Sequence, residues 1–249
     1  MGWMNDTLEY VRLDPLLRSE PDAHAKLTFR QVYAATENFV LSLSHDEAVH
    51  GKRSLVMKQV GDEGRRLAGM RTLLGYQWAL PGKVLVFMGT EIAQRREWNH
   101  EAALDWPLLE ESGHAGMLAW VTDLNRLLRS EPSLYRDDHD PAGFRWVDPD
   151  DSARSLLSFL RFAGDADPTL VVINFAPVAW PDVVFGVPEE GTWHVALTSD
   201  HPDYGGFGYP EAATAWQTEK RPVHGMDQSI TITVPPLAAL FVKPGSDMA

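Results

Sequence analysis

The densest run of chemically capable side chains is Ser44-His45-Asp46-Glu47, followed closely by His50 and Lys52. Two imidazoles, two carboxylates and an ammonium so close together are compatible with three kinds of chemistry. Metal binding fits poorly, because His45 and His50 stand five residues apart, not the four that puts two imidazoles on one helical face. Glycoside chemistry needs a second acid about 5 to 9 Å from the first. Glu91, at the end of another apolar run, is the candidate partner for Asp46. The third reading is a solvated cluster that merely caps a strand.

Elements on either side decide where these groups point. In Phe39-Val40-Leu41-Ser42-Leu43-Ser44 the apolar residues Phe39, Leu41 and Leu43 fall on one side and Val40, Ser42, Ser44 and Asp46 on the other. The pattern predicts a strand whose apolar side meets helices and whose end directs Asp46 into a mouth. Asp62 is the expected N-cap of a helix carrying Leu67, Met70, Leu74 and Trp78 inward and stopped by Pro81-Gly82. Lys83 to Gly89 reads as a second buried strand, so strand, helix and strand make a parallel crossover. Active sites of parallel barrels lie at strand C-terminal ends, where both Asp46 and Glu91 fall.

Upstream, Thr28 is expected to cap a helix that buries Phe29, Val32 and Tyr33. Downstream, a loop from Glu91 to Glu111 leads to a helix with Met117, Trp120, Val121, Leu124, Leu127 and Leu128 on one face. Closing a parallel barrel takes about eight strands, so two strands with their helices amount to a quarter of one. A small open sheet lying on the neighbouring domain is the alternative. Strands lacking barrel neighbours would expose apolar faces and unpaired edges, which favours self-association.

After Asp140 the pattern changes to short strands around Phe144 to Val147, Leu156 to Phe162, Leu170 to Phe175, Trp193 to Leu197, Ile230 to Val234 and Ala239 to Val242. Their spacing suggests a sandwich of about seven strands. The polar, proline-flanked stretch from Ser130 to Pro141 marks the expected boundary. The expected fold is therefore α/β plus all-β: residues 1–135 as the C-terminal part of a (β/α)8 barrel, and 136–249 as a β-sandwich.

Composition narrows the partners. With 22 basic and 35 acidic residues the formal charge is −13, which argues against nucleic acid and anionic membranes. The absence of cysteine removes disulfides, a thiolate nucleophile and a zinc ribbon. The apolar runs fall far short of the roughly 20 residues a membrane helix needs, and the first residues do not look like a signal peptide, so a cytoplasmic location is expected. Nine tryptophans are many for the length; such residues often stack on sugars or fill interfaces, though most simply pack a core. Trp98, within Glu97-Trp98-Asn99-His100, either lines a sugar-binding groove or packs beneath the barrel rim.

The chain resembles glycogen branching enzymes of the alpha-amylase superfamily along Met1 to Leu8, Glu37 to Lys52, Pro81 to Gly89, Arg96 to His100, Leu104 to Trp106 and Asp123 to Arg126. The resemblance implies the last quarter of a catalytic barrel followed by a C-terminal β-domain. Asp46 matches the acid that stabilises the oxocarbenium-like transition state and grips sugar hydroxyls; His45 matches the histidine that binds the same sugar. Glu47, Lys52 and Trp98 are placed beside the substrate. Glu91 matches a position after the last strand, which argues against its pairing with Asp46. The nucleophilic aspartate and the acid/base glutamate belong to earlier strands and match no residue of this sequence.

By the same resemblance, the intact enzyme cuts α-1,4-glucan, glycogen or amylose, and rejoins the piece through an α-1,6 bond, with no cofactor and no metal. This chain alone is expected to be inactive, its partner being a complementary N-terminal fragment or another copy of itself. A noncatalytic glucan-binding or subunit-stabilising module is the alternative. Departures from the family pattern include Asn5 for a usual His, Ser42 for Pro, and Thr90 and Ala93 for Gly. Strain is expected at Thr90 if its φ is positive.

Overall fold

The computed structural model describes residues 2–34, 36, 38–209 and 214–245; Met1 and Glu37, which belong to the branching-enzyme-like stretches, lie outside them. Three helices open the chain: α1 (Gly2–Arg12), α2 (Pro15–Arg18) and α3 (Pro21–Thr28). Proline starts α2 and α3, where its missing N–H would be unpaired anyway. Next come strand β1 (Val40–Leu43), helix α4 (Glu63–Ala79) and strand β2 (Lys83–Val86). Asp62 caps α4 as expected, its Oδ1 accepting the Arg65 N–H at 2.9 Å. β1 and β2 pair in parallel, Leu41 opposite Val84 and Leu43 opposite Val86. Leu41 and Leu43 are buried and Val40 is exposed, the alternation a half-covered strand requires. Helix α5 (Ser112–Ser130) buries Met117, Trp120, Val121, Leu124 and Leu127, and the short α6 (Pro132–Tyr135) follows.

Two expectations for this part need correction. Thr28 is the last residue of α3, and Phe29–Val32 form only a 3-10 turn in which Phe29 and Val32 are 58 % and 77 % exposed. Pro21 starts the helix earlier, so Ala23, His24 and Leu27 occupy its buried face instead. The barrel portion is not evident as a barrel either. Among the described residues β1 and β2 form a two-stranded sheet, with Val40, Leu85 and Met88 left exposed.

The remaining strands are β3 (Phe144–Asp148), β4 (Leu156–Ala163), β5 (Ala166–Asn174), β6 (Trp180–Val187), β7 (Thr192–Thr198), β8 (Ala215–Gln217), β9 (Gln228–Val234) and β10 (Ala238–Pro244). One sheet has the order β3-β4-β5-β10-β7-β8, and β6 pairs with β9 in a second. Among the described residues there are eight strands where six were located in the sequence and about seven expected, β6 and β8 being the two not located. Pro181 and Asp182, the latter at φ 52°, interrupt the alternation of β6 where its register shifts.

Both faces of the inner strands β4, β5 and β10 are largely buried. Leu157, Phe159, Val171, Ile173, Ala239 and Phe241 face the helices and join the core of α1, α4 and α5. Their neighbours Leu156, Leu160, Leu170, Val172, Leu240 and Val242 pack with Val183, Phe185, Ile230 and Ile232 of the second sheet. Helix α4 lies so close to β10 that a Cβ at Gly75 would overlap the Ala239 methyl.

The 130–141 stretch follows the change from helices to strands, but no break in the core accompanies it. Ser133, Leu134 and Asp138 are buried, and Arg161 of β4 has no exposure at all. Its guanidinium donates to the carbonyls of Ala79 (2.7 Å), Leu134 (3.2 Å) and Gly143 (3.3 Å) and to Asp138 Oδ1 (2.8 Å). One side chain thus ties the end of α4, α6 and the first strands together. Removing Asp138 leaves that charge without its counter-ion, so Asp138→Ala is expected to cost about 3–5 kcal/mol. Urea unfolding of the two proteins checks this; a loss below about 1 kcal/mol, the range of an exposed pair, would show that the carbonyls alone suffice.

Candidate functional site

β1 delivers the cluster. The chain leaves β1 at Leu43, and Ser44 caps a short 3-10 turn, His45–Glu47. Ser44 Oγ accepts the Asp46 N–H at 3.4 Å and donates to Asp46 Oδ2 at 3.0 Å, while His45 Nε2 stands 3.4 Å from Asp46 Oδ1. Both side chains are about half exposed, 54 % for His45 and 52 % for Asp46. Asp46 is therefore an oriented carboxylate that still faces solvent. Such a group is free to meet a positive charge on a bound molecule, and one charge-assisted hydrogen bond, from Ser44 Oγ, fixes its direction.

A row of rings lines the floor. His45 lies 5.5 Å from Phe87, which meets Trp98 edge to face at 5.1 Å, and His100 continues the row at 6.2 Å from Trp98. Trp98 is half-buried, and its backbone N–H donates to the Ala48 carbonyl at 3.0 Å, so the loop after β2 is fastened to the loop after β1. Glu91 sits half-buried in the turn after β2 and shares neither a hydrogen bond nor an ion pair with Asp46 among the described residues. Strain falls elsewhere than expected. Positive φ occurs at Gly89 (89°) and at buried Ala93 (50°), not at Thr90. A left-handed alanine costs on the order of 1–2 kcal/mol.

Glu47, next to Asp46, has a different environment. Its side chain is only 14 % exposed, and its carboxylate is held by Arg12 Nη2 at 2.9 Å, Lys52 Nζ at 3.1 Å and Lys58 Nζ at 3.5 Å. Burial works against its charge, but the hydrogen bond from Lys52 and the charges of Lys58 and Lys52 hold its pKa below the usual carboxylate range. Lys52 is exposed, and its carbonyl accepts from Lys58 Nζ at 2.6 Å.

Residues 146–245 match the family described as alpha amylase, C-terminal all-beta domain. Over 249 residues the chain is 51 % identical to the 1,4-alpha-glucan branching enzyme GlgB of Aromatoleum aromaticum, spanning all of this chain and 39 % of that protein. Against the GlgB of Pseudomonas syringae pv. syringae it is 46 % identical over 247 residues, 99 % of this chain and 33 % of the relative. The chain matches the C-terminal part of the 1,4-alpha-glucan branching enzymes. It spans only 30–39 % of the length of the branching enzymes to which it is 45–51 % identical. An alpha-amylase from Geobacillus thermoleovorans, solved with acarbose, has a similar fold at TM-score 0.61 and 14 % identity, over 97 % of this chain and 47 % of that one.

Three side chains outside the expected set hold the branching-enzyme-like cluster in place: Arg12, Lys58 and Glu97. Glu97 accepts the backbone N–H groups of Gly51 (3.0 Å) and Arg53 (2.6 Å), which depress its pKa. The three positive-φ residues His50, Gly51 and Arg53 make that sharp loop. A lysine directly after an apolar run, as in Leu55-Val56-Met57-Lys58, is the one sequence sign of the buried cation. Glu47→Gln should destabilise the chain by about 1–3 kcal/mol, since it leaves the buried Lys58 ammonium short of a partner. Because the native pKa of Glu47 is depressed, its contribution is present above the unfolded value of about 4.3 and is lost as pH falls through the native value. Chemical denaturation at pH 7 and pH 3 checks this: the gap between wild type and variant should be wider at pH 7 than at pH 3.

Proposed function

We propose that this chain supplies the Asp46-bearing portion of an α-1,4-glucan branching enzyme. The observation that carries the reading is an exposed, hydrogen-bonded carboxylate at the C-terminal end of a parallel strand, in a sequence 51 % identical throughout to one such enzyme. In this reading β1, α4, β2 and α5 are the last strand-helix pairs of a catalytic barrel. The strands that complete it cover the exposed face of Val40, Leu85 and Met88.

Retaining transfer needs one carboxylate to attack the anomeric carbon and another to protonate the leaving oxygen, after which a glucan hydroxyl takes the glycosyl group. Asp46 does neither. Its negative charge favours the oxocarbenium-like transition state and its oxygens accept sugar hydroxyls, while His45 donates to the same sugar. Trp98 supports the ring row on which a glucose face stacks. Glu47 and Lys52 act beside the glucan by fixing the turn that carries Asp46, with Lys52 the more exposed of the two. The acceptor and donor are glycogen or amylose, and the setting is cytoplasmic glycogen synthesis.

The purified chain is expected to form no α-1,6 bonds in amylose. Adding a polypeptide that carries the N-terminal part of a branching enzyme should restore them, and Asp46→Asn in the mixture should lower the rate by about 100-fold or more. Branching by the chain alone, or an active mixture containing Asp46→Asn, overturns the proposal. Amylose binding without restored activity would favour a noncatalytic glucan-binding or subunit-stabilising module.

A further inference from the structure

We propose that Glu63, Glu111 and His114 form a binding site for one zinc-like divalent ion, with Arg95 as the counter-cation that the ion displaces. Glu63 begins α4, Glu111 immediately precedes α5, and His114 lies in the first turn of α5. One donor atom from each of the three lies within 4.8 Å of the other two. Tetrahedral zinc, with ligands about 2.0–2.2 Å from the ion, draws such atoms closer by roughly 1 Å, a shift that two half-exposed glutamates allow.

His114 distinguishes this cluster from a group of surface acids. Its side chain is 2 % exposed. Nδ1 lies 2.8 Å from the Ile92 carbonyl, an acceptor only, so Nδ1 donates there and Nε2 is the ring nitrogen left to meet a ligand. That Nε2 is buried without a hydrogen-bond partner and points at Glu63 Oε1, 3.8 Å away. A backbone carbonyl fixing one imidazole nitrogen while the other stays free is the arrangement that supports a metal-bound histidine.

The carboxylates already have a cation. Arg95 hydrogen-bonds to both, reaching Glu63 Oε1 through Nε at 3.1 Å and Glu111 Oε1 through Nη1 at 2.8 Å. The guanidinium is 38 % exposed, and a cavity of about 210 Å3 beside it, lined by Val56, Met57, Leu67 and the further cation Arg66 as well as by Glu63 and His114, opens toward the imidazole. A bound ion would clip the starts of α4 and α5 together.

Titration of the full chain with Zn2+, and with Co2+ for its visible absorption, tests the site. Expected are one equivalent per chain, a tetrahedral Co2+ spectrum and a raised melting temperature in Zn2+. Arg95→Met should bind about tenfold tighter, one decade being about 1.4 kcal/mol. The exposed Glu111→Gln should bind about 10–100-fold more weakly, at least the loss that follows removal of a second-shell partner. His114→Gln should abolish the tetrahedral spectrum, and Glu111→Gln keeps the test decisive if that buried variant fails to fold. Absence of saturable binding in both wild type and Arg95→Met, or unchanged binding in Glu111→Gln, overturns the proposal.

Discussion

A guanidinium cut off from water is costly unless every N–H finds an acceptor, and this fold is built around that demand. Arg161 meets it with Asp138 and the carbonyls of Ala79, Leu134 and Gly143, which belong to different segments. Two more buried arginines repeat the device. Arg18 donates to the carbonyls of Val11, Leu13 and Phe175, and Arg71 of α4 donates to those of Ser199 and Gly205. Burial pulls the Arg71 pKa down to about 10, opposed by the charge of Asp200. Each of these cations spans helices and sheet, so sliding one against the other would strand a buried charge.

The site inherits that rigidity. β1 rests on α4 through Gln77, whose amide donates to the Leu41 carbonyl at 2.8 Å and the Leu85 carbonyl at 3.1 Å, and α4 rests on the sheet. Asp46 is thereby held without being enclosed. Neighbouring acids diverge because of what surrounds them: Glu47 is surrounded by three cations and serves the loop, whereas Asp46 is oriented by Ser44 and His45 and left open. The sequence places the two side by side, and only the packing separates their roles.

Much of this was legible in the residues. Alternation in Phe39 to Ser44, the Asp62 cap and the apolar stripe from Met117 to Leu127 depend on local chemistry, and each appears where the pattern puts it. What stayed hidden depends on distant contacts. Phe29 and Val32 have the spacing of a buried face yet find nothing to cover them, and β6 is masked by the bulge at Pro181-Asp182. The continuous core was invisible for the same reason. A proline-flanked polar stretch looks like a linker until Arg161, some 20 residues further on, draws Asp138 inside. Glu97 gives no local sign of its role, since its partners are backbone groups 44 and 46 residues away.

If helices and sheet share one core, they must open together, and amide hydrogen exchange on the intact chain measures that directly. Amides in the middle of α4 and in β4 and β5 should exchange with the same free energy and the same dependence on denaturant. Exchange of α4 at a markedly lower free energy, with β4 and β5 still protected, would contradict the account.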